Sequence, residues 1–172
     1  MSRVLAPHPD TPCAWVSRIE TLVARPVPEI MELTYRVHGD LGELALAEPV
    51  AAKRASNLWE HTCFEAFVRD PVGEGYCEFN FSPSTEWAAY RFACYRTGMR
   101  NAPTNAPKIT TRMDQDCYEM RVELPAPRQQ NALVALSAVI EGKDGAKSYW
   151  ALTHPSDKPD FHHPDGFALE LA

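Results

Sequence analysis

A chain of 172 residues, 45% of them hydrophobic, is long enough for one domain with a substantial core and is neither disordered nor fibrous in composition. Its net charge of -6, with no five-residue run of lysine and arginine, argues against a phosphate backbone as partner and so against nucleic acid. No stretch approaches the roughly 20 apolar residues of a membrane span, and Met1 to Pro12 carries no apolar signal core, so no membrane role and a cytoplasmic location are expected.

In chain order, the dominant pattern is period two. Trp15 to Val23 is a weak strand candidate. From Ile30 to Val37, Met31, Leu33, Tyr35 and Val37 share one side and Glu32, Thr34 and Arg36 the other. From Thr62 to Arg69, Phe64, Ala66 and Val68 lie opposite Cys63, Glu65 and Phe67. From Tyr76 to Ser82, Cys77, Phe79 and Phe81 alternate with Tyr76, Glu78, Asn80 and Ser82. Glu86 to Phe92 and Lys108 to Arg112 follow as weaker candidates. Cys117 to Leu124 alternates again, with Tyr118, Met120, Val122 and Leu124 on the apolar side. Successive strand side chains point to opposite faces, so each of these predicts a strand with one dry face.

Leu133 to Ile140 is nearly continuous apolar sequence, which suits a strand covered on both sides. Ser148 to Leu152 and Gly166 to Leu171 complete the set. Asp70 to Gly75 and Gly142 to Gly145 read as hairpin loops, and Pro127 to Asn131 as one helical turn. Short strands at this spacing predict an all-β antiparallel β-sandwich or jelly roll, formed as one domain over residues 1–172. Cys13, Cys63, Cys77, Cys94 and Cys117 are odd in number and scattered, which predicts reduced thiols.

The polar strand faces are the informative feature. Glu65, Glu78 and Asn80 project from two strands joined by a short hairpin and should share one surface. Arg91 adds a cation on the next strand, Trp59 lies just before the first strand of the group, and Trp150 lies late in the chain. Aromatic rings beside carboxylates, amides and guanidinium groups suit a sugar, because a ring covers the C–H face of a pyranose while polar groups bind its hydroxyls.

The run Leu58-Trp59-Glu60-His61-Thr62-Cys63-Phe64-Glu65-Ala66-Phe67-Val68, followed by Tyr76-Cys77-Glu78-Phe79-Asn80-Phe81-Ser82-Pro83-Ser84, resembles the core of DOMON-like domains, relatives of family 9 carbohydrate-binding modules. Trp87 to Phe92, Ser148 to Leu152 and Pro159 to Pro164 also fit, so the resemblance spans residues 15–171. It implies an immunoglobulin-like or jelly-roll sandwich that binds a sugar or a haem, which fits a binding role rather than a catalytic one. In the sugar-binding relatives a tryptophan and a glutamate six positions later reach the ligand, a spacing that Trp59 and Glu65 reproduce. Arg91 and Trp150 are the counterparts of a later arginine and tryptophan. The expected site is therefore Trp59 and Trp150 stacking, Glu65 and Arg91 hydrogen-bonding, Glu78 and Asn80 as secondary contacts, and His154 and His162 at the rim.

Four rival readings stand beside this one. The haem-binding relatives use histidine and methionine ligands, for which Met99 with His61 or His154 are the candidates, whereas Met31 and Met120 fall on dry faces. His154, Asp160, His162 and His163 lack chelating spacing, so no metal site is expected. Glu65 and Glu78 are the carboxylate pair that a glycosidase reading would use. Finally, exposed Trp59 or Trp150 would serve equally well in a protein-interaction module or a homo-oligomer.

Overall fold

The computed structural model describes residues 2–171, and among them strands account for nearly all regular structure. The strands are β1 (Ser2–Pro7), β2 (Val16–Val27), β3 (Ile30–Gly39), β4 (Cys63–Arg69), β5 (Tyr76–Phe81), β6 (Trp87–Phe92), β7 (Arg100–Asn101), β8 (Lys108–Met113), β9 (Cys117–Pro125), β10 (Ala132–Glu141), β11 (Lys147–Ala151) and β12 (Leu169–Leu171). All pair antiparallel, in the order β7-β6-β5-β4-β10-β11-β1-β2-β3-β9-β8, with β12 also on β10.

The continuous path folds into two layers at β1. Its first half, Ser2 to Leu5, pairs with β2, and Ala6 and Pro7 pair with β11. The first sheet is thus β1-β2-β3-β9-β8, and the second runs from β7 through β11. Apolar faces of both meet in one core: Ile19, Leu33, Tyr35 and Met120 from the first, Phe64, Phe81, Leu136 and Trp150 from the second. Tyr35 and Phe64 lie 5.1 Å apart by ring centroids, and the Tyr35 hydroxyl donates to the Glu65 carbonyl oxygen at 2.7 Å. A buried phenol needs such a partner, because an unmade hydrogen bond in an apolar layer costs about 1–3 kcal/mol.

The antiparallel all-β expectation holds, and β10 is buried along almost its whole length between β4 on one side and β11 and β12 on the other. One local expectation fails, and two strands lie outside the predicted set. Ser2 to Pro7 is a strand whose single proline, Pro7, stands at its terminal position. Arg100–Asn101 adds a two-residue edge strand. Pro127 to Asn131 forms no helical turn; the chain reverses through a turn with Asn131 at φ 60°, a conformation asparagine accepts more readily than most residues. β3 ends at Gly39, where φ is 149° and a Cβ would collide with the Trp15 carbonyl oxygen, so the position requires glycine. The five cysteines are free, and among the described residues no helix is long and apolar enough to cross a membrane.

Candidate functional site

The outward face of the second sheet is not bare. Phe67 on β4, Tyr76 on β5, Ala88, Tyr90 and Phe92 on β6, and Ala135 on β10 form a second apolar cluster with Phe167, backed by Leu58, Leu133 and Phe161. The residues that close over it come from the segment between β11 and β12. That segment is shaped by a 3-10 turn at Pro164–Gly166, capped by the His163 side chain accepting from the Asp165 amide. Arg69 stacks on Phe167 at 4.7 Å, which ties the segment to β4.

Beside this cluster opens a cavity of about 430 Å³, within the range of small-molecule sites. Its floor carries Glu65 from β4, Glu78 from β5 and Val139 from β10. Trp59, Tyr149, Phe92 and Phe161 form aromatic walls, with Arg96, Met99, Pro159 and His162 completing the lining. Trp59 sits on the 3-10 turn Leu58–Glu60, which starts after Asn57 in the left-handed region at φ 59°. That turn leaves the indole 38% exposed, edge-on to Tyr90 at 6.1 Å. Trp59 thereby offers part-exposed aromatic surface to the cavity.

Register explains why the acids converge. Glu65 pairs with Asn80 and Phe67 with Glu78, so the two glutamates are diagonal neighbours on one face. They are 3% and 6% exposed. Ser137 Oγ donates to Glu65 Oε2 at 3.2 Å, and Asn80 Nδ2 donates to Glu78 Oε1 at 2.7 Å. Burial pushes both carboxyls above the usual range, Glu65 further because Glu78 repels its charge as well.

His162 reaches the same group from the closing segment. Its Nδ1 lies 2.7 Å from the Tyr76 hydroxyl and its Nε2 3.7 Å from Glu78 Oε2. Burial, then the nearby Arg96 charge, lowers its pKa to about 4, so the imidazole is neutral near pH 7 and Nδ1 can accept from the phenol. Arg96 Nη2 lies 2.8 Å from Asp160 Oδ1, and the Tyr95 hydroxyl donates to Asp160 Oδ2 at 2.6 Å. Burial alone would raise Asp160, but these bonds outweigh it and hold the carboxyl below its usual range.

The residues singled out from sequence therefore divide. Trp59, Glu65, Glu78 and His162 line one cavity, and Asn80, fully buried, supports Glu78 from the neighbouring position on the same face of β5. Arg91 projects from the other side of β6 and lines a separate cleft with Asp70 and Cys77. Trp150 is buried in the core between the sheets, its indole N–H donating to Ser148 Oγ at 2.9 Å. His154 lies 2.8 Å from the Ala6 carbonyl oxygen, edge-on to His8, and does not line the cavity. Met99 does line it, whereas His61 pairs with Glu141 at 2.8 Å. Among the described residues no three His, Cys, Asp or Glu side chains converge as metal ligands.

Tyr149, Arg96 and Phe161 escaped the sequence reading. Tyr149 pairs with Val139 on the cavity face, one position from Trp150 and hence on the opposite side of β11. Counting parity from Val139 is the signal that finds it. Arg96 stands in a turn at φ 51°, outside any alternation, and Phe161 belongs to a proline-bounded loop with no periodicity to read.

The fold is of the carbohydrate-binding-module kind. A Bacteroides uniformis protein provisionally described as carbohydrate-binding superposes with a TM-score of 0.75 at 14% identity, over 100% of this chain and 86% of that one. A family 9 carbohydrate-binding module from Caldicellulosiruptor kristjanssonii, solved in complex with glucose, superposes with a TM-score of 0.54 at 8% identity, over 90% of this chain and 75% of that one. No family model and no curated protein sequence matches the chain.

Proposed function

We propose that this chain is a non-catalytic ligand-binding domain whose cavity takes a sugar or a sugar-containing metabolite. One observation carries the reading: a part-exposed indole, Trp59, stands beside a floor of buried carboxylates in a cavity of about 430 Å³. Stacking on Trp59 and Tyr149 suits the C–H face of a pyranose, and Glu65, Glu78 and Arg96 supply acceptors and donors for hydroxyls. The glucose complex of a structural neighbour is consistent with this reading.

Thermal shift against neutral sugars, amino sugars, nucleotide sugars and hemin tests the proposal. A ligand present at 100 times its Kd stabilises the fold by about 2.7 kcal/mol, a rise of roughly 5–10 °C for a domain of this size. The expected result is a sugar hit that disappears in Trp59→Ala. A hit with hemin alone, accompanied by a shifted absorption band, would move the assignment to haem, and no shift with any compound would overturn it.

A further inference from the structure

Around the cavity, cations and anions do not balance. Three carboxylates, Glu65, Glu78 and Asp160, face a single guanidinium, and Arg96 is already engaged by Asp160 at 2.8 Å. Neither Glu65 nor Glu78 is ion-paired with a lysine or arginine among the described residues. Each accepts one hydrogen bond from a neutral donor, Ser137 or Asn80, although an ionised carboxylate has about four lone-pair sites. His162, 3.7 Å from Glu78, is neutral near pH 7. Buried glutamates are ordinarily paired, because taking their charge out of water is costly. Here both line a cavity instead, beneath four aromatic residues.

We infer, building on the sugar-binding reading, that the preferred ligand is an amino sugar whose ammonium group sits between Glu65 and Glu78 while its ring stacks on Trp59 and Tyr149. A neutral sugar can donate hydroxyls to the carboxylates but leaves their mutual repulsion in place. An ammonium group relieves that repulsion and makes charge-assisted hydrogen bonds to both. The faces of Trp59, Phe92, Tyr149 and Phe161 also attract a cation through their ring quadrupoles. The same ammonium group, once acetylated, loses all three contributions.

Calorimetric titration of the full chain with glucosamine, N-acetylglucosamine and glucose at about pH 7 tests this inference. Glucosamine should bind at least about tenfold more tightly than the other two. Glu78→Gln, nearly isosteric, should bring that ratio close to one, chiefly by weakening glucosamine. Lowering the pH from neutral into the mildly acid range should shrink the ratio in the wild type, as Glu65 and Glu78, whose carboxyls are pushed upward, take up protons. The other groups facing them stay put over that range: His162 and Asp160 titrate lower, and Tyr76, Cys63 and Arg96 higher. Equal or tighter binding of glucose would overturn the amino-sugar preference and leave sugar binding standing. Binding of a simple diamine with no response to any sugar would overturn the sugar reading itself, and silence from every compound would overturn both.

Discussion

The outward faces of the two sheets carry the same kinds of side chain under different conditions. On the first sheet, Glu119 receives Arg36 at 2.6 Å and Arg121 at 2.8 Å, and Lys108 meets Glu123 at 2.8 Å, all beside water. Burial alone would raise Glu119, but the two guanidinium groups outweigh it and hold its carboxyl below the usual range. On the second sheet, Glu65 and Glu78 lie under a protein segment with no such partners, and both are pushed upward. Alternation in β4, β5 and β9 sorts side chains by face in the same way. What differs is the cover, water over one face and residues 153–168 over the other. Uncompensated acids are a cost to the fold that is commonly retained where a ligand completes the site.

Breaking the cover should have the largest effect. Phe67 is fully buried in the outer cluster, so Phe67→Ala should cost about 3–5 kcal/mol in urea denaturation. Glu32→Ala, on the outward face of the first sheet, should stay within about 0.5 kcal/mol. A loss below about 1 kcal/mol at Phe67 would mean that the second face is no better covered than the first.

The acids sharpen the contrast through pH. Below the ordinary glutamate value of 4.5, Glu65 is protonated both folded and unfolded. As pH rises, the unfolded chain releases its proton first, so stability falls until the raised folded pKa is passed. Glu65→Gln removes that slope and should stabilise the protein near neutrality, converging with wild type in acid. Glu119 has the opposite sign: its contribution is present above 4.5 and is lost as pH falls through its lowered folded value. Glu119→Gln should therefore destabilise at neutral pH, by no more than about 1 kcal/mol for a pair at the surface. Melting curves from acid to neutral pH read both slopes, and parallel slopes would refute the difference.

Much of this was legible before any coordinates. The alternation in Cys63–Arg69 and Tyr76–Phe81 put Glu65, Glu78 and Asn80 on one face, and register then brought them together. Trp150 shows the limit of motif matching. A tryptophan was expected near that position, but parity sends it into the core and offers Tyr149 to the cavity. The covering segment had no period to read, because its path is set by long-range contacts such as Tyr76 with His162 and Arg96 with Asp160. Burial of the glutamates could not be seen for the same reason.

The two arginines offer the smallest and most discriminating comparison. Arg91 is exposed on β6, opposite Cys77 and on the side of the strand away from Glu78. Arg96 lines the cavity with its side chain half exposed, its backbone N–H donating to the Tyr76 hydroxyl at 3.2 Å. Arg91→Ala should therefore leave sugar affinity unchanged and stability within about 0.5 kcal/mol of wild type. Arg96→Ala should cost little stability, because a half-exposed ion pair is screened by solvent. It should weaken binding of a neutral sugar several-fold and leave the Asp160 charge uncompensated beside the cavity. Calorimetry on the two variants separates their roles. If Arg91→Ala weakened binding as much as Arg96→Ala, the ligand would have to lie on the other side of β6, in the cleft with Asp70 and Cys77.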